Sequence, residues 1–250
     1  MTSNELKLAA LPANRHSTVI MPRSERAAEV LSPEVREQFR QFYVDDVADL
    51  VGPLYTMDAG IRPMHSSRTS FVGQAITAKA VPGDNLALFG ALAEVRPGDV
   101  LIVDWRGHTA SSANGGSMLV APLLDGLEAV VVDGAVRDVA EVAGLNLPLF
   151  ARGLSASAPG KYEIGEVNVA VVCGGVVVEP GDLVIGGDEG IVVIPRRDVE
   201  RVLAALKPYT APRSIDDWPI DVRRERSNAR VEQYRSILAD QISAVSESTH

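Results

Sequence analysis

The chain has 250 residues and carries 24 Lys and Arg against 33 Asp and Glu, a net charge of −9. That length can bury a sizeable core in one large domain or one domain with arms, and the acidic balance argues against broad binding to nucleic acid or anionic lipid. Cys173 is the single cysteine, which excludes an internal disulfide. Its apolar flanks Val171, Val172 and Val176 mark a buried, inert thiol, and the lack of any disulfide leads to the expectation of a cytoplasmic location.

Met1-Thr2-Ser3-Asn4-Glu5 lacks the basic-then-apolar order of a signal peptide, and the most apolar stretch, residues 167–178, is too short to span a bilayer. A soluble protein is expected, with neither membrane nor nucleic acid as partner. Residues 1–31 are polar and without a sustained period, and read as an N-terminal arm. Ser32-Pro33-Glu34 has the cap-then-proline order of a helix start, and residues 44–50 with Gly52 behind them read as a second short helix. Its Asp45, Asp46 and Asp49 form a solvated face.

Residues 71–81 read as a strand ended by Pro82-Gly83-Asp84-Asn85, residues 86–95 as a helix, and residues 100–103 as a strand entered through Pro97-Gly98-Asp99. Pro180-Gly181-Asp182 repeats that turn before residues 183–185, at a spacing that excludes a repeat array. Asp104-Trp105-Arg106-Gly107-His108 follows a strand and is placed to line a cleft, where His108 would titrate near neutral pH; a satisfied loop histidine is the alternative. His16, His65 and His250 lack partners at metal-ligand spacing, which argues against a histidine zinc site. No Walker loop, G-x-S-x-G elbow or G-x-G-x-x-G follows a strand, so the commonest nucleotide and hydrolase readings fall away.

The stretch from Asn114 to Asp138 joins a candidate anion cradle to a candidate metal ligand. Gly115 and Gly116 permit positive φ, Ser117 is suited to cap a helix over residues 118–124, and free amides at such a start attract a carboxylate or phosphate. Pro122 weakens that helix. Residues 129–132 read as a fully buried strand, closed by an Asp133-Gly134 turn, which leaves Arg137 and Asp138 just past a strand end, where ligands gather in α/β proteins. Asp138 has an ordinary alternative as the cap of residues 138–144, with Glu141 completing a capping box. Arg137 has one as a surface ion pair. Residues 147–153 read as a strand entering a loop, residues 167–195 as several strands, and Asp188-Glu189-Gly190 as a tight turn. Residues 199–206 continue as a helix. Val231, Tyr234, Leu238, Ile242 and Val245 then mark one face of a last helix.

The spacing in the central stretch is that of a known family. Gly115-Gly116 is followed by 20 residues, 117–136, and then Arg137-Asp138. With Pro82-Gly83-Asp84-Asn85, residues 133–138, residues 148–153 and Gly165-Glu166-Val167-Asn168-Val169, the chain resembles the family of 4-hydroxy-4-methyl-2-oxoglutarate aldolases, oxaloacetate decarboxylases and the RNase E regulator RraA. The match covers about residues 44–195. The resemblance implies an α/β fold, an RraA-like swivelling α/β/β domain over residues 32–195, with N-terminal helices and a C-terminal helical extension over residues 196–250. It also implies a homo-oligomer, a trimer or dimer of trimers, with sites between subunits.

For function the resemblance implies a class II aldolase or decarboxylase, a lyase that uses Mg2+ or Mn2+ on a small 2-oxo acid by way of pyruvate enolate. Asp138 would be the metal ligand. Arg137 would contact the substrate oxygens, and Gly115, Gly116, Ser117 and Met118 would form the substrate cradle. A metal and a guanidinium together neutralise an enolate without a Schiff-base lysine. The chain departs from the family pattern at Gly116, where an acidic residue is expected; Asp84, His108, Asp104 or a neighbouring subunit's tail would have to supply a base. The rival reading from another class is a non-catalytic regulator that binds a protein partner such as an RNase through its acidic surface.

Overall fold

Alternation of apolar side chains on buried strands divides the interior of this protein into three cores. The computed structural model describes residues 31–207 and 220–247. Four parallel strands, β2 (Phe71–Lys79), β3 (Asp99–Ser112), β4 (Ala129–Val136) and β5 (Leu149–Leu154), form the centre of an eight-stranded sheet. The short strand β1 (Arg62–Pro63) borders β5, while β9 (Leu183–Gly187) and β10 (Gly190–Ile194) extend the other edge as an antiparallel hairpin. β6 (Glu166–Val167) pairs with the end of β2, and β7 (Val171–Cys173) and β8 (Val176–Val178) form a separate hairpin.

On one sheet face Ile76, Leu101, Val103, Val130 and Val132 pack under α3 (Leu86–Leu92), α4 (Val120–Leu124) and α5 (Val139–Gly144). The alternate residues Ala75, Val100, Ile102 and Val131 pack under the β7–β8 hairpin. This is the helix, sheet, sheet layering expected of an α/β/β domain. At the β9–β10 edge, α1 (Pro33–Phe39), α2 (Val44–Val51) and α6 (Val199–Leu206) close a third core through Phe39, Val47, Val199, Leu203 and Leu206. The main compact unit runs to Lys207, and α6 contributes three buried residues, Val199, Leu203 and Leu206, to this third core. The arm expected over residues 1–31 lies almost wholly outside the described residues.

Ser32 caps α1 by accepting the Val35 amide at 3.3 Å, and Gly52 ends α2 at φ 80°, as the sequence predicts. A second unit holds the helix α7 (Ile220–Glu247), on which Val231, Tyr234 and Leu238 are exposed. Among the described residues no helix is long and apolar enough to cross a membrane.

Two strands run further than the sequence predicts. β3 continues through Asp104-His108 to Ser112, with shifts of register against β4, and Asp133-Gly134 lies inside β4 instead of forming a turn. Gly134 serves close approach, since a Cβ there would stand 2.6 Å from the His108 carbonyl. Asp133 forms a short ion pair with Arg152 Nε and accepts the Gly174 amide at 3.0 Å, tying the β7–β8 hairpin to the sheet. That hydrogen bond to Asp133 is the main reason the Arg152 pKa is raised.

Cys173 lies beneath the hairpin with its thiol pushed well up by burial, and the carboxylates of Asp133 and Asp104 act in the same direction. It should therefore resist thiol reagents in the native protein and react only after unfolding, as a timed Ellman titration with and without denaturant would show. Asp133→Ala leaves the Gly174 amide without its acceptor and Arg152 with only the longer 3.5 Å pair to Asp58, and should cost about 2 to 3 kcal/mol in urea unfolding.

Candidate active site

The β3–β4 pairing builds the site by continuing past the end of β3. Ser112 pairs with Ala135; beyond it the Ala113 amide donates to the Ala135 carbonyl at 2.8 Å and the Arg137 amide to the Asn114 carbonyl at 3.2 Å. The next rung is a side chain: the Gly116 amide donates to Asp138 Oδ2 at 3.2 Å. Asn85, from the turn after β2, steadies the incoming loop by donating from Nδ2 to the Ala113 carbonyl at 2.8 Å. Residues far apart in sequence are thus brought together by one hydrogen-bond ladder.

Asp138 occupies the left-handed region at φ 57° and ψ 33° and makes no side-chain cap to α5. An aspartate tolerates this conformation at a cost of about 1 kcal/mol. The capping-box reading is thereby replaced, because the left-handed turn swings the carboxylate away from the amides of its own helix and towards Gly116. Arg137 Nε stands 3.6 Å from the same Oδ2. Both contacts fall on Oδ2, which leaves Oδ1 without a partner among the described residues. Arg137 and Asp138 keep 38% and 41% of their side-chain surface exposed. They line an open cleft of about 370 Å³ with Val136, Val139, Leu154, Ser155 and Ala156, a volume suited to a small acid.

The two glycines serve a purpose other than the one predicted. Neither has a positive φ; Gly115 is extended at φ −121°. What matters is the missing Cβ, which at Gly115 would overlap Asp138 Oδ2 and stand 3.3 Å from Arg137 Nε. At Gly116 it would overlap the carboxylate of Glu141. Ser117 is not a cap either: a 3-10 turn, Gly116–Leu119, starts from Gly115 and leads into α4. Pro122 accounts for the split, since it has no amide to donate to the Met118 carbonyl. Ser117 and Met118 follow in the first turn of this segment, directly after the Gly116 amide that binds Asp138, and are not among the residues lining the cleft.

The other groups singled out in the sequence are engaged elsewhere. Asp84 is buried and accepts the Leu86 amide at 3.0 Å and the Tyr162 amide at 2.7 Å. Asp104 accepts the Val172 and Arg106 amides and lines a separate cleft with Lys79, Arg106 and Asp133. His108 accepts the Ser111 amide at 3.2 Å and meets the Trp105 ring at a tilt, 5.1 Å between ring centres, so it is a satisfied histidine of an irregular strand. A larger cleft of about 740 Å³ beside the β9–β10 turn is remote from the Arg137-Asp138 pair, and its Arg40 is bound to Glu128. Glu141, read in the sequence as completing a capping box, instead lays its carboxylate against Gly116.

Fold and cleft together define an α/β protein with an arginine–aspartate pair at the carboxyl ends of parallel strands. The chain belongs to the RraA-like family, whose model, described as Aldolase/RraA, matches residues 44–193. A Halalkalibacterium halodurans protein named "Putative 4-hydroxy-4-methyl-2-oxoglutarate aldolase" is 37% identical over 191 residues, covering 74% of this chain and 90% of its own. The crystal structure of Streptomyces coelicolor RraAS2, described as an unusual member of the RNase ES inhibitor RraA family, is similar with a TM-score of 0.65. It is 25% identical and covers 73% of this chain and 95% of that one. The RNA-processing inhibitor RraA from Thermus thermophilis has a TM-score of 0.56 at 29% identity, covering 62% of this chain and 93% of that one.

Gly115→Ala tests the packing directly. The methyl group should displace the Asp138 carboxylate and release the Gly116 amide, read as faster hydrogen exchange at Gly116 with the core strands still protected.

Proposed function

We propose that this protein is a divalent-metal-dependent lyase that cleaves a carbon–carbon bond in a small 2-oxo acid, such as 4-hydroxy-4-methyl-2-oxoglutarate or oxaloacetate, and releases pyruvate. One observation carries the reading: Asp138 accepts a strained backbone to hold its carboxylate beside Arg137 in an open cleft, where an ordinary helix cap would need neither.

The residues fit a hard cation. Asp138 Oδ1 has no partner among the described residues, and the bare Gly115 lets Oδ2 pack against its backbone. The described residues contain no group of three or more His, Cys, Asp or Glu able to hold a metal, so a cation here would keep several waters, as Mg2+ or Mn2+ does. The nearby carboxamide of Asn114 is buried with neither its nitrogen nor its oxygen bonded, which leaves polar capacity next to the cleft.

Asp138 would hold the metal, which supplies positive charge to the substrate's keto oxygen. Arg137 neutralises the charge that builds on that oxygen as the neighbouring carbon leaves. Its Nε is shared with Asp138, which orients the guanidinium. Backbone amides at Ser117 and Met118 are suited to the substrate carboxylate. Names of relatives support aldolase chemistry, and the RNase-inhibitor titles of the similar structures favour a second reading, a regulator that binds an endonuclease.

Arg137→Ala and Asp138→Ala should each lower pyruvate release from oxaloacetate at saturating Mg2+ by about 100-fold or more, measured by coupling to lactate dehydrogenase. Absence of pyruvate from both substrates, together with inhibition of a purified RNase E-type nuclease, would establish the regulator instead.

A further inference from the structure

The cleft that holds Arg137 and Asp138 is charged at one place and apolar over the rest of its lining. β4 and β5 stay paired to their last residues: Val136 lies beside Leu154, and the Ser155 amide donates to the Val136 carbonyl at 3.0 Å. This register brings Leu154 to the cleft, which it lines together with Val136, Val139 and Ala156. Leu154 keeps 64% of its surface exposed, although it is a large apolar residue at the end of an internal strand. Ser155 contributes the lining's one side-chain hydroxyl, and that group is engaged. Its Oγ donates to the Ala110 carbonyl at 3.1 Å and accepts the Ser157 amide at 3.3 Å. Arg137 is the single cation among the lining residues.

We propose that the acid taken here is a monocarboxylate, a 4-hydroxy-2-oxo acid with an alkyl group on C4, and that Leu154 sets this preference. The proposal rests on the lyase reading above and narrows its substrate class. A 2-oxo acid held by its keto oxygen at Arg137 and Asp138 must lay the rest of its chain over Val139, Leu154 and Ala156, because these complete the lining. An alkyl end covers Leu154, so apolar surface leaves water on both sides of the contact. A second carboxylate would lose water against the same wall, and the described residues there offer it neither a cation nor a free hydroxyl. Stripping water from an unpaired charge is strongly unfavourable. Both acids named above carry such a carboxylate, which makes them poor substrates by this account. 4-Hydroxy-2-oxopentanoate is the simplest acid of the proposed class. Its O4–H proton is released to solvent as that electron pair closes the aldehyde carbonyl, the C3–C4 pair becomes the pyruvate enolate, and C3 takes one proton back. Pyruvate and acetaldehyde result, with no co-reactant consumed.

Two matched pairs of acids provide the test. 2-Oxopentanoate and 2-oxoglutarate differ only in a terminal methyl against a carboxylate, and neither has a hydroxyl to cleave, so calorimetry on the Mg2+-loaded protein reads recognition without turnover. 2-Oxopentanoate should bind about 10-fold or more tightly than 2-oxoglutarate. 4-Hydroxy-2-oxopentanoate should exceed 4-hydroxy-2-oxoglutarate by a similar factor in kcat/KM for pyruvate release. Because Leu154 is exposed, Leu154→Arg should keep the fold; with a cation in the wall, it should reverse the order of both pairs, whereas Leu154→Met should retain it. Equal or tighter binding of 2-oxoglutarate by the unaltered protein overturns the proposal, and so does an order that Leu154→Arg leaves unchanged. Pyruvate from neither hydroxy acid would remove the lyase reading; the binding order of the two unreactive acids then still decides whether the cleft rejects a second carboxylate.

Discussion

The hydrogen bond from the Gly116 amide to the Asp138 carboxylate is the point on which the site depends, and it is a product of sheet geometry. Parallel strands place their carboxyl ends side by side, and the β3–β4 ladder continues through the Ala113 and Arg137 amides until only a side chain can make the next rung. Asp138 makes it by adopting a left-handed backbone at φ 57°. That conformation costs little for an aspartate, and the dense packing of Val130, Val132 and Val136 beneath the helices holds the strand end in place while it is adopted. The strain falls on the residue with the proposed chemistry, while the neighbouring glycines are unstrained and provide space.

Acidic residues lie along and just beyond β3 and β4, and their surroundings separate structural from chemical roles. Asp104 and Asp133 face the β7–β8 hairpin, where Val172 and Gly174 amides and Arg152 occupy their oxygens. They fasten one layer of the fold to another. Asp138 and Glu141 face the helical side, partly open to solvent, and among the described residues neither Asp138 Oδ1 nor the Glu141 carboxylate has a bonded partner. A carboxylate whose lone pairs are saturated by amides has little capacity left for a cation or a proton, so satisfaction and not proximity is what distinguishes the two sets.

Family membership is compatible with both catalysis and regulation, and the burial pattern explains how one scaffold serves both. The three cores engage nearly every apolar strand position, so the fold is maintained without help from the polar pair in the cleft, Arg137 and Asp138. Arg137 and Asp138 lie at its margin, where substitution costs little stability and function can diverge.

Local pattern in the sequence sufficed for what local physics governs: the capped start at Ser32, the glycine stop at Gly52, the strands in β2 and β4, the buried thiol at Cys173, and the spacing that marks the family and Arg137-Asp138. It misled where a side chain's partner is distant. Asp133-Gly134 has turn chemistry but stays in a strand because Arg152, Gly174 and the Trp105–His108 segment surround it. Asp138 and Glu141 have capping-box spacing but face Gly115 and Gly116, more than 20 residues earlier in the chain. Which of two hydrogen bonds an aspartate makes, and whose side chain fills the space over a glycine, depend on sheet register, and register is set only when the whole interior packs.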